Sequence, residues 1–340
     1  MSSLAVKYRP EKFEDLCEQA SVVKMLNNMI QEGTFPNCMM FTGAAGTGKT
    51  TSARIMANMI NKGQGKPIEI DAASNNSVDN IRSIIQESKH KSLDSEYKVY
   101  ILDEVHALSS TAWQAALKLI EEPPAKTVFI FCTTDPQKIP NTIHSRVQRF
   151  NFNRITYEGT KSRLIHIIQS ENKEGNSITY TDEAISYIAK MADGGMRDAI
   201  TFMEKCLNYS NNLTVENVVT ALGVQDYSVL FSLLKSLIAR DQKASLVLID
   251  NSYLDGKDMK QFIKQVVGFM IDVCKYMLLH DFKYIDIPET YKGDLDLIDK
   301  EDPTLINYIR TVFVNLQNDS KWDSKPKLLL SSLVMDICRG

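Results

Sequence analysis

The sequence predicts an open α/β domain built on a parallel sheet, followed by two all-helical domains. Three observations carry that prediction. Through residues 1–155, short apolar runs alternate with stretches of helical periodicity. Several runs, such as 99–102 and 128–132, are apolar from end to end, as strands covered on both faces must be. From Thr156 on, apolar residues recur only at helical spacing. A chain of 340 residues is long enough for more than one core, and the pattern sets boundaries at 1–155, 156–223 and 224–340.

Pro10 argues against a helix at the start of the chain. A helix is expected over 21–31, with Val22, Val23, Leu26, Met29 and Ile30 on one face and Gly33 and Pro36 ending it. Residues 38–42 read as a strand, 49–61 as a helix, 61–66 as a short connector and 68–70 as a strand. The polar turn 71–77 supplies Ser77 as N-cap of a helix over 78–90, with Val78, Ile81, Ile84 and Ile85 on one face. A strand over 98–102, a helix over 110–120 that stops before Pro123-Pro124, and strands over 127–132 and 148–152 complete the first domain. Beyond Thr156 only helices are expected, over 157–170, 181–191, 195–208 and 214–221. Gly194-Gly195 breaks that group and Gly223 ends it. In the last third, apolar periodicity covers 229–237, 258–280 and 326–338. Residues 281–304 read as a loop-rich interruption.

The first strand runs into Gly43-Ala44-Ala45-Gly46-Thr47-Gly48-Lys49-Thr50, which is G-x-x-x-x-G-K-T between a strand and a helix. That context is the one a phosphate-binding loop requires. The glycines let backbone N–H groups turn inward on a polyphosphate with no Cβ in the way. The helix that Thr50 and Thr51 open adds a partial positive charge at its N-terminus. Lys49 can reach the β- and γ-phosphates, and Thr50 can offer its hydroxyl to Mg²⁺. Asp103-Glu104 ends an apolar strand, at the sheet edge where ligands of parallel sheets sit. Asp103 can hold Mg²⁺ through water and Glu104 can polarise an attacking water. An Asp-Glu pair by itself is equally an acidic turn or a helix cap; the loop upstream favours the chemical reading. Thr133-Thr134 ends the next strand, where a hydroxyl would face the γ-phosphate. Arg146 and Arg197, each taken alone, read as solvated arginines, the latter paired with Asp193 or Asp198.

Bulk properties exclude several classes. A net charge of −3 leaves no overall electrostatic footprint for nucleic acid, so DNA contact must come from a local patch or from helix N-termini. The six cysteines form no C-x-x-C pair, which argues against zinc and against a disulfide framework and suits a reducing cytoplasm. The first seven residues lack the apolar core of a signal peptide. No run of about 18 apolar residues is present, so no membrane span is expected.

The order of these motifs resembles the ATPase core of the AAA+ superfamily, and within it bacterial clamp-loader subunits of the DNA polymerase III gamma/tau type. The matching stretches are Lys7-Tyr8-Arg9-Pro10 with Phe13, Asp15 and Leu16, the phosphate-binding loop, Glu69-Ile70-Asp71-Ala72-Ala73-Ser74-Asn75 and Leu102-Asp103-Glu104-Val105-His106. Further on come Leu117-Lys118 with Glu121-Glu122-Pro123-Pro124, the run from Thr133 to Pro140, Ser145-Arg146, and Gly195-Met196-Arg197-Asp198-Ala199. The resemblance spans about residues 4–225, and the last third matches only as a helical region where the family carries an oligomerisation collar.

The resemblance implies an AAA+ P-loop domain, a small helical lid and an all-α collar, with ATP and Mg²⁺ as cofactors. It implies that Arg146 is an arginine finger reaching a neighbouring subunit's nucleotide, that Arg197 is the sensor 2 arginine, and that Thr134 is sensor 1. Tyr8, Arg9 and Pro10 would border the nucleotide. Ser74, Asn75, Asn76, Ser77 and Arg82 would open a helix facing DNA, with Lys89, His90 and Lys91 adding local charge. The implied partners are other clamp-loader subunits in a pentameric assembly, a sliding clamp and primer–template DNA. Three departures stand out. The family's zinc module is replaced by the short connector 61–66, so no zinc is expected; Val147 replaces the family's usual Cys; and no tau-type extension is expected. A branch-migration ATPase is the nearest rival. A non-hydrolysing scaffold subunit would show a ruined loop or Asp-Glu pair, and both are intact. A P-loop kinase would leave the Ser-Arg and Gly-Met-Arg stretches unexplained.

Overall fold

The computed structural model describes residues 3–223, 225–320 and 325–339. They form two compact units: residues up to Ile178 with Ile188–Glu204, and Thr179–Tyr187 with residues from Lys205 onward. The first unit contains α1 (Leu4–Lys7), α2 (Ala20–Glu32), β1 (Cys38–Gly43), α3 (Lys49–Ile60), β2 (Ile68–Asp71) and α4 (Val78–Ser88). It continues with β3 (Lys98–Asp103), α5 (Ser110–Glu121), β4 (Thr127–Thr133), α6 (Asn141–His144), β5 (Gln148–Phe152) and α7 (Tyr157–Lys173). Two helices, α8 (Asp182–Met191) and α9 (Met196–Tyr209), give residues to both units.

The five strands lie in the order β2-β3-β4-β1-β5, all parallel. Successive side chains alternate between the two faces, and both faces are covered. Met40, Tyr100, Leu102, Phe129 and Phe131 pack on one side with Ile81 and Ile84 of α4 and Trp113 and Leu119 of α5. Met39, Phe41, Ile101, Ile130 and Phe150 pack on the other with Leu26 of α2 and Met56 of α3. This double burial is why the strands read as unbroken apolar runs. It also puts β1 between β4 and β5, so the loop after β1 emerges from the sheet interior, with the end of β3 one strand beyond β4. The expected cap forms, with Ser77 Oγ accepting from Asn80 N at 3.3 Å, and Ser109, not singled out in the sequence, caps α5 by accepting from Ala112 N at 3.2 Å.

Among the described residues the second unit is helical apart from one small pairing. Its remaining helices are α10 (Val215–Leu222), α11 (Tyr227–Ile238), α12 (Gln242–Leu254), α13 (Met259–Leu279), α14 (Lys292–Ile298), α15 (Pro303–Ser320) and α16 (Pro326–Arg339). Phe231, Phe262, Ile263, Phe313 and Val334 lie at the centre of its core. Among the described residues no single helix is long and apolar enough to cross a membrane.

Three expectations need correction, and two helices, α12 and α15, lie outside the periodic stretches read from the sequence. The region after Thr156 is not purely helical: β6 (Thr179–Tyr180) and β7 (Asn212–Leu213) pair in parallel, and two-residue strands are too short to show a period. Residues 4–7 form a helical turn despite Pro10, because the turn ends before Arg9, the residue that Pro10 restricts. The loop-rich stretch 281–304 contains α14, which buries Leu295 and Ile298. No apolar period announces α12, because its buried face includes Ser245 and Ser252. These serines are satisfied locally, with Ser245 Oγ 2.7 Å from Ser236 Oγ and Ser252 Oγ donating to Leu248 O at 2.8 Å.

Phe129 is fully buried and stacks on Tyr100 with ring centroids 5.1 Å apart. Phe129→Ala is expected to cost about 3–5 kcal/mol, read as a lowered urea midpoint of the first unfolding transition of the full chain.

Candidate functional site: a phosphate-binding cleft

The loop between β1 and α3 is shaped by what its glycines lack. A Cβ on Gly43, at φ +151°, would lie 2.3 Å from Phe152 O on the neighbouring strand β5. A Cβ on Gly46, at φ +71°, would lie 3.0 Å from Gly195 Cα. Because both Gly46 and Gly195 are bare, the backbones meet closely and Met196 N donates to Gly46 O at 3.0 Å. That bond seats the start of α9, and with it Arg197, against the loop. Thr47 Oγ1 donates to Ala44 O at 2.9 Å and stiffens the turn.

Lys49 is buried, and its Nζ donates to Gly43 O at 2.8 Å and Ala44 O at 2.7 Å. Burial lowers its pKa, opposed by the negative charges of Glu104 and Asp103. The ammonium therefore sits inside the loop, where an anionic phosphate would relieve its desolvation. Thr50 Oγ1 donates to Asp103 Oδ2 at 2.6 Å, so the two candidate Mg²⁺ residues already touch. Among the described residues no group of three or more His, Cys, Asp and Glu could hold a metal ion. The pair fits Mg²⁺ held partly by substrate phosphates, which is how that ion commonly binds.

Glu104 stands at φ +51°, just past the end of β3. Its Oε2 accepts from Thr134 Oγ1 at 3.0 Å and lies 3.2 Å from His106 Nδ1. Thr133 Oγ1 instead accepts from Asp135 N at 3.0 Å and lies 3.3 Å from His106 Nδ1. Of the two threonines, the second is the one in contact with Glu104.

These parts surround one cleft of about 290 Å³. Its lining includes Tyr8, Arg9, Pro10, Ala45, Gly46, Thr47, Gly48, Lys49, Thr50, Thr51, Asp103, Glu104 and Arg197. Gly43, Ala44 and Thr134 lie outside that lining: Gly43 and Ala44 bind the lysine through their carbonyls, and Thr134 reaches the cleft through Glu104. Arg146 is not brought to the cleft. Its Nε donates to Glu121 Oε1 at 2.6 Å and its Nη1 to Thr142 O at 2.8 Å, both at the surface. The turn before α4 is also separate from the cleft lining. Within it Ser74 Oγ donates to Asp71 Oδ2 at 2.8 Å, Asn75 Nδ2 to Asp71 O at 3.0 Å, and Asn76 O accepts from Ser109 N at 3.3 Å. Arg82 is exposed and lies 3.3 Å from Asp79.

Comparison with known proteins decides the family. The tau subunit of DNA polymerase III from Bacillus subtilis is 33% identical over 359 aligned residues, covering 98% of this chain and 62% of the relative. The gamma subunit from Buchnera aphidicola subsp. Schizaphis graminum is 33% identical, covering 78% of each chain. This chain belongs to the DNA polymerase III gamma/tau subunit family. It spans less than two thirds of the length of the Bacillus subtilis relative. The family model described as DNA polymerase III, delta subunit matches residues 62–156 of this gamma/tau-type chain. The Holliday junction branch migration motor RuvB of Thermotoga maritima shares the fold, with a TM-score of 0.51 at 18% identity over 68% of this chain and 79% of that one. The gamma/tau-type chain thus shares that fold, a five-stranded parallel α/β sheet followed by helices.

Several residues of the cleft carry no sequence signal. Ile155 and Ile200 form apolar lining, but a single apolar residue in a loop or helix looks like any other. Gln19 is buried and ties segments together: its Nε2 donates to Asn153 O at 2.8 Å and its Oε1 accepts from Asn153 N at 3.2 Å. Arg163 lines the cleft and donates to Tyr8 O at 3.1 Å. Glu171 anchors the N-terminal segment, its Oε1 accepting from Lys7 Nζ at 2.7 Å and from Tyr8 OH at 2.7 Å. Burial and then the Glu171 bond push the Tyr8 hydroxyl up to about 12. For Glu171 itself burial works upward, yet the bonds from Lys7, Tyr8 and Asn176 bring its carboxyl below the ordinary 4.5.

Lys49→Ala is expected to abolish binding of a fluorescent ATP analogue while far-UV circular dichroism stays unchanged. Glu171→Gln is expected to lower the unfolding midpoint at pH 7. Its folded-state carboxyl titrates below the unfolded one, so the deficit is full above pH 4.5 and shrinks as acidification passes the folded-state value. A deficit that persisted unchanged at pH 3 would show that the charge is not what holds the N-terminal segment.

Proposed function

We propose that this chain is an ATP-driven motor subunit of a sliding-clamp loader, which opens a clamp and places it on primer–template DNA during replication. Family membership supports this reading. So does one structural observation: Lys49, Thr50, Asp103, Glu104 and Arg197 are assembled at a single cleft, while Arg146 faces solvent away from it. A pocket built without Arg146, on a chain that carries this arginine at its surface, suits an assembly in which each subunit completes its neighbour's site.

In this reading the loop N–H groups and Lys49 bind the ATP phosphates, and Thr50 and Asp103 would hold Mg²⁺. Mg²⁺, when bound, neutralises charge on the β- and γ-phosphates. Glu104 orients and polarises the attacking water, with Thr134 fixing its carboxylate. Arg197 contacts phosphate in the same chain, and Arg146 stabilises developing charge in the next. Tyr8, Arg9 and Pro10 border the nucleotide. The turn Ser74–Ser77 and Arg82 contact DNA phosphates without reading bases. The proposed division is a P-loop domain over 1–155, a lid over 156–223 and a collar over 224–340 that joins a pentamer of loader subunits. ATP and Mg²⁺, and no zinc, are the proposed cofactors, and the bacterial cytoplasm the setting. A scaffold that does not hydrolyse would have no use for the Thr50–Asp103 contact or for the held Glu104.

The test is ATP turnover by the complex assembled with its native partners, with and without primed DNA and sliding clamp. DNA and clamp together are expected to stimulate it. Arg146→Ala should reduce stimulated turnover by roughly 10³-fold or more while leaving ATP binding within about twofold. Full turnover by the isolated chain, or by the assembled Arg146→Ala complex, would refute the shared pocket.

A further inference from the structure

We propose that Glu121 is a positioning residue for Arg146, holding its guanidinium so that Nη2 is left open for a neighbouring subunit's phosphate. The inference rests on the trans role of Arg146 proposed above. Three bonds fix the guanidinium: Nε to Glu121 Oε1 at 2.6 Å, Nη1 to Thr142 O at 2.8 Å, and Nη1 to Ser145 Oγ at 3.2 Å. Nη2 has no partner among the described residues. The bonds therefore engage both flanks of a planar five-donor group, Nε on one and Nη1 on the other, and leave the Nη2 N–H groups for an incoming anion.

Both partners stand on anchored backbone. Arg146 N donates to Ile143 O at 2.9 Å, and the flanking Ile143 and Val147 are buried. Glu121 is the last residue of α5, directly after the buried Leu119 and Ile120. Glu122 N closes that helix on Lys118 O at 2.9 Å, ahead of Pro123-Pro124. The prolines bar the helix from running on past Glu122, so its last turn, and Glu121 with it, stands at a set place.

An ion pair with partners 39% and 47% exposed adds little to fold stability. Orientation is where such a bond has effect. A free arginine side chain samples many rotamers, and ordering it on arrival of a phosphate costs binding energy that a pre-set one does not lose. The contact uses Nε and spares Nη2, so it need not break when Nη2 meets an anion.

The experiment measures DNA- and clamp-stimulated ATPase of the assembled complex carrying Glu121→Ala, Glu121→Gln, Arg146→Ala or Glu121→Ala with Arg146→Ala. Glu121→Ala is expected to lower kcat roughly 10-fold, as a modest misplacement does, with KM for ATP within about twofold. Glu121→Gln, whose amide oxygen can still accept from Nε, should recover most of that loss. The double variant should be no slower than Arg146→Ala alone. If the Ala variant does not assemble, Glu121→Asp replaces it: its carboxylate falls one methylene short, so a lowered kcat supports positioning and a full kcat overturns it. Full kcat in Glu121→Ala beside a crippled Arg146→Ala overturns the role of Glu121 and leaves the trans arginine standing. An additive double variant, or no rescue by Gln, also overturns it. Full kcat in Arg146→Ala overturns the trans arginine itself, and this inference with it.

Discussion

The absence of side chains on the loop after β1 is the constraint on which the first unit depends. Gly43 has Phe152 O where its Cβ would be, and Gly46 has Gly195 there. The first close approach keeps β1 in register with β5; the second lets Met196 N reach Gly46 O. A methyl group at either place would push apart backbones that nothing flexible can yield. The same bareness that allows N–H groups to converge on an anion thus also brings Arg197 to the rim of the cleft. The open concave loop and the placement of α9 share one cause.

Electrostatics inside the cleft are arranged by neighbours rather than by distance alone. Lys49 lies within the loop, its ammonium on carbonyl oxygens and its charge poorly solvated. Asp103 is engaged by Thr50, and Glu104 by Thr134 with His106 alongside. Two adjacent carboxylates are thereby given different companions, one beside the hydroxyl that a metal would share and one turned by a left-handed backbone toward the end of β4. Adjacent residues in an extended strand point to opposite faces; the turn at Glu104 is what lets both serve one cleft.

The N-terminal segment is held by charge and by a buried amide. Lys7 and Tyr8 converge on Glu171, Lys7 also reaches Glu174, and Glu18 accepts from Thr156 N at 2.6 Å. Gln19 bridges to Asn153. Together these bonds hold residues 4–19 along one wall of the cleft, far from them in sequence. Arg146 contrasts with them: its bonds orient it on the surface and leave part of its donor set open.

Residue pattern alone determined the parallel sheet, the phosphate-binding loop, the Asp-Glu pair and most helices, because each follows from local rules: unbroken apolar runs for doubly covered strands, glycine spacing for the loop, serine caps before helices. It failed where structure is too short or too locally satisfied to leave a period, as in β6, β7, α14 and α12 with its buried serines. Only the tertiary structure decided that Thr134 rather than Thr133 meets Glu104, that Gly195 packs on Gly46, that Glu171 anchors Tyr8, and that Arg146 rests on Glu121 outside the cleft. Those are contacts between residues from 25 to 163 positions apart, and such pairings are set by how helices and strands pack, which no local spacing records.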